Sequence, residues 1–271
     1  MLRLYPAAHT IFQHLISSMA VSKIRADQLL VQNGLAETRE RAKRLIMAGE
    51  VFCQTSGNSL ERVDKPGQQM PRDTVFRLKE PERFVSRGGF KLLTGLRHFD
   101  IEVQGIKALD VGASTGGFTD CLLQEGASRV YAVDVGHGQL HYRLRSDSRV
   151  VVLEGVNMRS APGDLLPEPV DLAVVDCSFI SLKHVLPPCL TWLKPEGKIL
   201  ALVKPQFELQ RSEVKKGVVR DVSLQEEAVR RVAAFCEEHL GLLSHGAVPA
   251  EIKGPKGNQE YLLLLSRAIN R

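Results

Sequence analysis

The chain has 271 residues, of which 44% are hydrophobic and 25% are charged, and these are the proportions of an ordinary globular protein. They exclude intrinsically disordered, collagen-like and coiled-coil chains, and no apolar run approaches the roughly 20 residues that a membrane-spanning helix requires. The formal net charge of +5 favours a polyanionic partner such as nucleic acid, but basic charge alone does not prove one.

The amino-terminal residues 1–21 do not read as a secretory signal. Gln13 and His14 interrupt the apolar stretch that a signal peptide would need, and Arg3 alone gives little of the positive charge expected before it. We expect these residues to form a loose tail, or an extension upstream of a natural start at Met19.

The cysteines indicate a reducing environment. Their number is odd, no two form a C-x-x-C pair, and none stands near a compact histidine cluster. The sequence therefore predicts free cysteines, a cytoplasmic location and no structural metal. The five are Cys53, Cys121, Cys177, Cys189 and Cys236.

Residues 22–80 are predicted to form a small α+β domain. An apolar face beginning at Ile24 predicts a first helix, which Gly34 closes, and Thr38 is placed to cap a second helix. In that second helix Ala42, Leu45 and Ile46 recur at helical spacing, while basic side chains fill the other positions. Residues 51–78 read as short strands, with turns at 57–58 and 66–67.

A linker at residues 81–86 leads to a predicted α/β domain at residues 87–268. Strands alternate with helices there, which indicates parallel βαβ units in a doubly wound sheet. Only residues 250–259 separate the last two strands, so these should pair antiparallel. The strands are predicted near 108–111, 130–134, 150–153, 171–176, 198–203, 244–249 and 261–265. The helices are predicted near 87–96, 117–125, 182–193 and 224–240, with the third broken at Pro187-Pro188.

A glycine-rich turn follows the first strand of this domain. In the segment 108–118 the apolar strand ends at Asp110 and Val111, and Gly112 and Gly116 then allow a ligand to approach the backbone. Asp134 ends the next strand, where a carboxylate binds ribose hydroxyls. This spacing differs from the dinucleotide G-x-G-x-x-G and suits S-adenosylmethionine better than a pyrophosphate. The alternative is a glycine turn with a capping aspartate.

Two charged residues end other strands of the same sheet. Asp176 and Lys204 each follow an apolar run, at the edge where open α/β sheets bind ligands. Either residue alone would more often be a solvated strand end. Together, and beside a cofactor turn, they predict a catalytic site.

Several segments resemble the TlyA family of ribosomal RNA 2′-O-methyltransferases, whose catalytic domain is of FtsJ (RrmJ) type. They are 86–91 (SRGGFK), 110–118 (DVGASTGGF), 175–179 (VDCSF), 203–208 (VKPQFE) and 216–221 (KGVVRD). Residues 25–30, 34–35 and 44–49 likewise resemble the S-four RNA-binding domain. The sequence departs from that pattern at 54–57, where QTSG replaces a Val-Asn-Gly-type turn.

The resemblance implies a fold and an activity. The fold would be a class I methyltransferase domain with a seven-stranded, mostly parallel sheet whose last strand is antiparallel, preceded by the S-four domain. The activity would be transfer of a methyl group from S-adenosyl-L-methionine to a ribose 2′-hydroxyl, of cytidine, in ribosomal RNA or a ribosomal subunit. No membrane or obligate protein partner is implied.

The resemblance also implies site residues. The FtsJ-type catalytic tetrad corresponds to Lys91, Asp176, Lys204 and Glu260, with Glu208 and Glu251 as alternatives for the last position. The cofactor set is Asp110, Gly112, Ser114, Gly116, Gly117, Phe118 and Asp134. The RNA-binding set is Arg25, Arg39, Arg41, Lys43 and Arg44, whose alternative reading is an ordinary solvated helix face.

A tetrad of this kind suits a ribose hydroxyl, which is a poor nucleophile until its proton leaves. We expect Lys204 to remove or steer that proton and Asp176 to orient Lys204, while Lys91 and Glu260 hold the ribose and the second ammonium. Three other readings stay open: an RNA-binding protein with an inactive methyltransferase fold, a hemolysin as the family is sometimes labelled, and a methyltransferase acting on a small molecule.

Overall fold

The computed structural model describes residues 23–54, 59–79 and 82–268. The chain divides into two compact units, and the division falls between Pro81 and Glu82. The predictions for residues 1–21 and for the turn at 57–58 lie outside the described residues, as does most of the departure at 54–57.

Over residues 23–54 and 59–79, the first unit consists of two helices and two small antiparallel sheets. Strand β1 pairs with β4, and β2 lies between β3 and β5. One apolar core, which includes Leu29, Leu30, Ala42, Ile46 and Val51, joins these elements. The elements are β1 (Lys23–Arg25), α1 (Ala26–Gln32), α2 (Arg39–Met47), β2 (Val51–Gln54), β3 (Leu60–Arg62), β4 (Gln69–Pro71) and β5 (Phe76–Leu78).

The local signals of this unit are confirmed with one exception. The Thr38 hydroxyl accepts a hydrogen bond from the Arg41 amide at 3.2 Å, so Thr38 caps α2 as predicted. Gly34 follows α1 with a φ of +71°, a conformation that glycine adopts without strain. The prediction that Ile24 lies in the first helix is wrong, since Ile24 pairs with Met70 in strand β1. This pairing joins distant segments, so the local pattern did not indicate it.

The second unit is a seven-stranded sheet in the order β11-β12-β10-β9-β6-β7-β8. Four of its pairings are parallel, and β12 runs antiparallel to both of its neighbours, as predicted. Its strands are β6 (Lys107–Val111), β7 (Arg129–Asp134), β8 (Val150–Glu154), β9 (Val170–Val175), β10 (Leu193–Val203), β11 (Leu242–Pro249) and β12 (Tyr261–Arg267). Its α-helices are α3 (Gly88–His98), α4 (Gly117–Gln124), α5 (Tyr142–Arg145), α6 (Leu186–Cys189), α7 (Pro205–Glu208) and α8 (Val222–Leu240).

The central strands β6 and β9 and the second half of β10 are buried on both faces, which explains why they are apolar at most positions. Ala108 faces a core that includes residues of α3 and α4, whereas Leu109 faces a core that includes residues of α8. In β6 and β9 the polar side chains therefore lie at the strand ends or next to them.

Two predictions in the second unit need correction. The predicted helix at 182–193 is a 3₁₀ turn (Leu182–His184) followed by the short α6. Pro187 and Pro188 lie in the first turn of α6, where a missing N–H breaks no helical hydrogen bond, so the break precedes them. Strand β10 begins earlier than predicted, at Leu193, and its pairing with β9 shifts register between Leu193 and Lys198.

Within residues 23–54, 59–79 and 82–268, we find no helix with both the length and the apolar composition to cross a bilayer.

Candidate active site

The carboxyl ends of β9 and β10 place a carboxylate beside an ammonium. Val175 pairs with Val111 on one side and with Ala201 on the other, so Asp176, the next residue, lies at the edge of the sheet. Lys204 follows Val203 at the same edge. Its Nζ lies 2.5 Å from Asp176 Oδ1, an ion pair whose angles are not those of a hydrogen bond.

Glu260 reaches this edge because β12 is antiparallel. Tyr261, the first residue of β12, pairs with Val203, the last residue of β10, and the preceding Glu260 therefore lies beside Lys204 in the sheet. Lys91 comes from the first half of α3, which packs against β12. Its Nζ donates a hydrogen bond to Glu260 Oε2 at 2.5 Å.

The four members of the predicted tetrad therefore form two lysine–carboxylate pairs. The Lys91–Glu260 pair is almost completely buried, with 9% and 2% of the side chains exposed, whereas Asp176 in the other pair is 22% exposed. Lys204 Nζ also donates a hydrogen bond to the Ser178 hydroxyl at 2.9 Å. Ser178 is not among the predicted site residues, although its position two residues after Asp176 was a signal.

The predicted glycine turn joins β6 to α4 and leaves no room for side chains. A Cβ on Gly112, whose φ is +84°, would lie 2.7 Å from the Asp176 carbonyl oxygen. Gly116 precedes α4 with a φ of +98°, and a Cβ there would lie 2.8 Å from Leu140. Ser114 between them has a φ of +50°, which is unusual for a residue other than glycine. The packing of neighbouring residues around the turn therefore requires glycine at both positions.

Asp134, at the end of β7, organises this turn. Its Oδ2 accepts the Ser114 amide and its Oδ1 accepts the Gly136 amide, each at 2.7 Å. A carboxylate oxygen has more than one lone pair, so each retains an accepting direction for a ligand. The predicted ribose contact is compatible with this geometry, and the structure adds a role in fixing the loop.

Asp110, predicted to bind the cofactor, lies beneath the turn with no exposed surface. Its Oδ2 accepts the Thr119 hydroxyl at 2.6 Å, and its Oδ1 has no partner among the described residues. Burial, together with the nearby charge of Asp176, raises the pKa of Asp110 to about 7, against the effect of the Thr119 hydrogen bond. Asp110 therefore supports the turn from inside.

Two cavities flank the lysine pairs. One, of about 250 Å³, is lined by Lys91, Lys204, Asp176 and the glycine turn. The other, of about 520 Å³, is lined by Asp134 and by residues that the sequence analysis did not select, among them Asn157 and Phe179. Ser178 and Asp176 line both cavities. Gly117 and Phe118 line the first, and Ser114 lines both.

The alternatives to Glu260 have other places in the fold. Glu208 accepts hydrogen bonds from the Ser181 hydroxyl at 2.5 Å and the Leu182 amide at 2.9 Å, and burial raises its pKa. Glu251 is exposed. Cys177 is no nucleophile at neutral pH, because burial raises the pKa of its thiol to about 12.

The predicted RNA-binding residues of the first unit fall into two groups. Arg25 and Arg39 both bind the buried carboxylate of Asp27, at 2.8 and 3.3 Å, and hold its pKa below the ordinary value. Lys43 pairs with Glu40 on the same helix at 2.7 Å. Arg41 and Arg44 are exposed.

The family model of FtsJ-like methyltransferases matches residues 84–267, which is most of the chain and nearly all of the second unit. The chain belongs to the FtsJ-like methyltransferase family. Within this family it groups with the TlyA proteins, as the sequence motifs predicted.

Three relatives support this assignment. The Bacillus subtilis protein YqxC, which carries the name of an rRNA methyltransferase, is 47% identical over 91% of this chain and 87% of its own. The Mycobacterium tuberculosis 16S/23S rRNA (cytidine-2′-O)-methyltransferase TlyA is 43% identical, with 92% of each chain covered. A solved structure from Streptococcus thermophilus, described as a hemolysin, is 44% identical with a TM-score of 0.68, covering 92% of this chain and 90% of that one.

Proposed function

We propose that this FtsJ-like protein transfers a methyl group from S-adenosyl-L-methionine to a ribose 2′-hydroxyl, that of a cytidine, in ribosomal RNA. The observation that carries the proposal is the meeting of two lysine–carboxylate pairs beside the glycine turn. The name of the Mycobacterium tuberculosis relative gives the same reaction.

The residues around the glycine turn fit the cofactor. Gly112 lines both cavities and would bring the backbone close to a ligand there, whereas Gly116 lines neither and is held free of a side chain by its packing against Leu140. Asp134 would bind the ribose hydroxyls, while Ser114, Gly117 and Phe118 would surround the rest of the molecule. When bound, S-adenosylmethionine supplies an electrophilic methyl group on a positively charged sulfur.

We assign the proton transfer to the Lys204–Asp176 pair, whose carboxylate is more exposed than that of the Lys91–Glu260 pair. Lys204 would remove the 2′-hydroxyl proton as a neutral amine, or steer it as an ammonium, and Asp176 and Ser178 hold its Nζ from two sides beside the cavity. Lys91 faces the same cavity with its carboxylate partner behind it, so it would hold the ribose oxygen as a donor. Much of the rate enhancement would come from this positioning.

The first unit is assigned to RNA binding as an S-four-type domain. Arg41 and Arg44 are exposed on α2 and would hold phosphates. Arg25 and Arg39 would contribute less, because the buried carboxylate of Asp27 engages both.

Methyl transfer to ribosomal RNA tests the proposal. We would incubate unmodified ribosomal RNA and intact ribosomal subunits with labelled S-adenosylmethionine, digest the RNA to nucleosides, and identify the labelled one. Label in 2′-O-methylcytidine, absent with Lys204→Ala, is the expected result. Label on a base, or liposome leakage without any methyl transfer, would contradict the proposal and favour a different substrate or the hemolysin reading.

A further inference from the structure

Two loops of the second unit lie side by side, and both are basic. One, residues 209–221, joins α7 to α8, and the other, residues 250–260, joins β11 to β12; together we name them the paired basic loops. Besides Arg211, their basic residues are Lys215, Lys216, Arg220, Lys253 and Lys256, and all five are exposed. Lys256 Nζ lies 3.8 Å from the point where a Cβ would stand on Gly217, so the two loops are adjacent.

A buried amide fixes the two loops to each other. Asn258 is 3% exposed; its Oδ1 accepts the Val219 amide at 2.9 Å, and its Nδ2 donates to the Gly217 carbonyl oxygen at 3.0 Å. In the first loop, Lys216 and Gly217 have φ values of +53° and +76°, which make a tight turn closed by a bridge between Lys215 and Val218. The cations are therefore carried on an ordered frame.

The positive charge of this surface is not neutralised from within the described part of the chain. No ion pair joins any of the five cations to a carboxylate there. The neighbouring acids are engaged elsewhere: Glu213 pairs with Arg231 at 3.1 Å, and Asp221 caps α8 through Ser223. Glu251 is the acid of the second loop and is exposed. The surface is therefore suited to an external polyanion.

The paired basic loops continue directly from the candidate active site. Pro255, in the second loop, lines the cavity that contains Lys91 and Lys204. The Gly254 amide donates to the Asn258 carbonyl oxygen at 2.9 Å, two residues before Glu260 of the tetrad. Two open cavities, of about 800 and 630 Å³, extend along the loops. A strand with one nucleotide in the active site would thus pass over these cations.

We propose that the paired basic loops bind the backbone phosphates of the RNA strand next to the nucleotide that is methylated. This inference rests on the proposed function and names a second RNA contact, outside the first unit. Phosphate contacts of this kind position the strand and carry no sequence information.

The test uses the full chain and two double variants. Lys253→Gln with Lys256→Gln removes two cations from the loops, and Arg97→Gln with Arg129→Gln removes two exposed cations from the opposite edge of the same unit as a control. Binding of a labelled single-stranded RNA oligonucleotide would be measured against salt, and kcat and KM on ribosomal RNA would be measured with labelled S-adenosylmethionine.

For the loop variant we expect KM for RNA to rise about tenfold and the log–log salt slope to fall by about 0.7 per lost contact, with kcat and cofactor binding unchanged. The control should behave as wild type. An unchanged slope in the loop variant, or an equal loss in the control, would overturn the proposal. If wild type methylates no RNA, the proposed function fails, while the binding measurement still decides whether these loops hold RNA.

Discussion

The two units each bury an aspartate, and they stabilise it in opposite ways. Asp27 in the first unit has no exposed surface and meets two guanidinium groups, so its pKa falls below the ordinary value. Asp110 in the second unit is equally buried but has the neutral Thr119 as its hydrogen-bond partner, and its pKa rises to about 7. Burial alone therefore does not decide the charge of a carboxylate, because the partners do.

The same contrast separates the basic residues of the two units. In the first unit Arg25 and Arg39 bind the carboxylate of Asp27, whereas Arg41 and Arg44, the proposed phosphate contacts, are exposed. In the second unit the two buried lysines are each paired with a carboxylate at the ligand-binding edge of the sheet. We expect the largest effects of mutation at that edge.

Lys204 should show the largest effect. Lys204→Ala removes the group assigned to the hydroxyl proton, so kcat should fall roughly 10²-fold to 10⁴-fold while cofactor affinity, measured by calorimetry, stays near normal. Lys204→Arg should be nearly as inactive, because a guanidinium does not deprotonate in a protein. If the arginine variant works at close to the wild-type rate from about pH 6 to 9, Lys204 acts only by its charge, and Lys91 becomes the candidate base.

Asp110 should make the second unit less stable as the pH rises. Its folded pKa of about 7 exceeds the unfolded value, so the folded state binds the proton more tightly. The free energy of unfolding should therefore fall between about pH 4 and 7, by on the order of 4 kcal/mol, and not change further above that range. Asp110→Asn imitates the neutral acid and should remove this dependence, which denaturant unfolding at several pH values would show. An unchanged pH profile would mean that Asp110 is ionised in the folded protein.

Asp27 should show the opposite dependence. Its folded pKa lies below the unfolded value, so its contribution is present at neutral pH and is lost as the pH falls below about 4. Asp27→Asn should destabilise the first unit by about 2 kcal/mol at pH 7, because two half-exposed guanidinium groups lose their carboxylate. Denaturant unfolding at pH 7 measures the difference. A neutral effect would show that solvent satisfies both arginines without it.

Arg41 and Arg44 should give the smallest effect on the protein itself. Replacing both with glutamine should leave stability within about 0.5 kcal/mol, since both are exposed. The log–log salt slope of RNA binding should fall by about 0.7 to 0.9 per lost contact, without a change in turnover at saturating RNA. Arg39→Gln is the matched control, and it should lower stability instead. An unchanged slope would return Arg41 and Arg44 to the role of a solvated helix face.

Local sequence signals determined much of this protein. Strand periodicity, the glycine turn and the cap at Thr38 depend on neighbours within a few residues, and the structure confirms them because tertiary packing did not override them. The family motifs predicted the methyltransferase fold. They also predicted the tetrad of Lys91, Asp176, Lys204 and Glu260.

The tertiary structure decided what no local pattern contains. Glu260 joins the site only because β12 runs antiparallel to β10, which brings the start of one strand to the end of the other. Ser178 accepts a hydrogen bond of 2.9 Å from Lys204, although the two residues are 26 positions apart in the sequence. The raised pKa of Asp110 follows from its burial. The ion pairs that Arg25 and Arg39 form with Asp27 follow from contacts that folding creates. The sequence determines which ionisable side chains are present, whereas the free energy of ionising each one depends on the surroundings that folding creates.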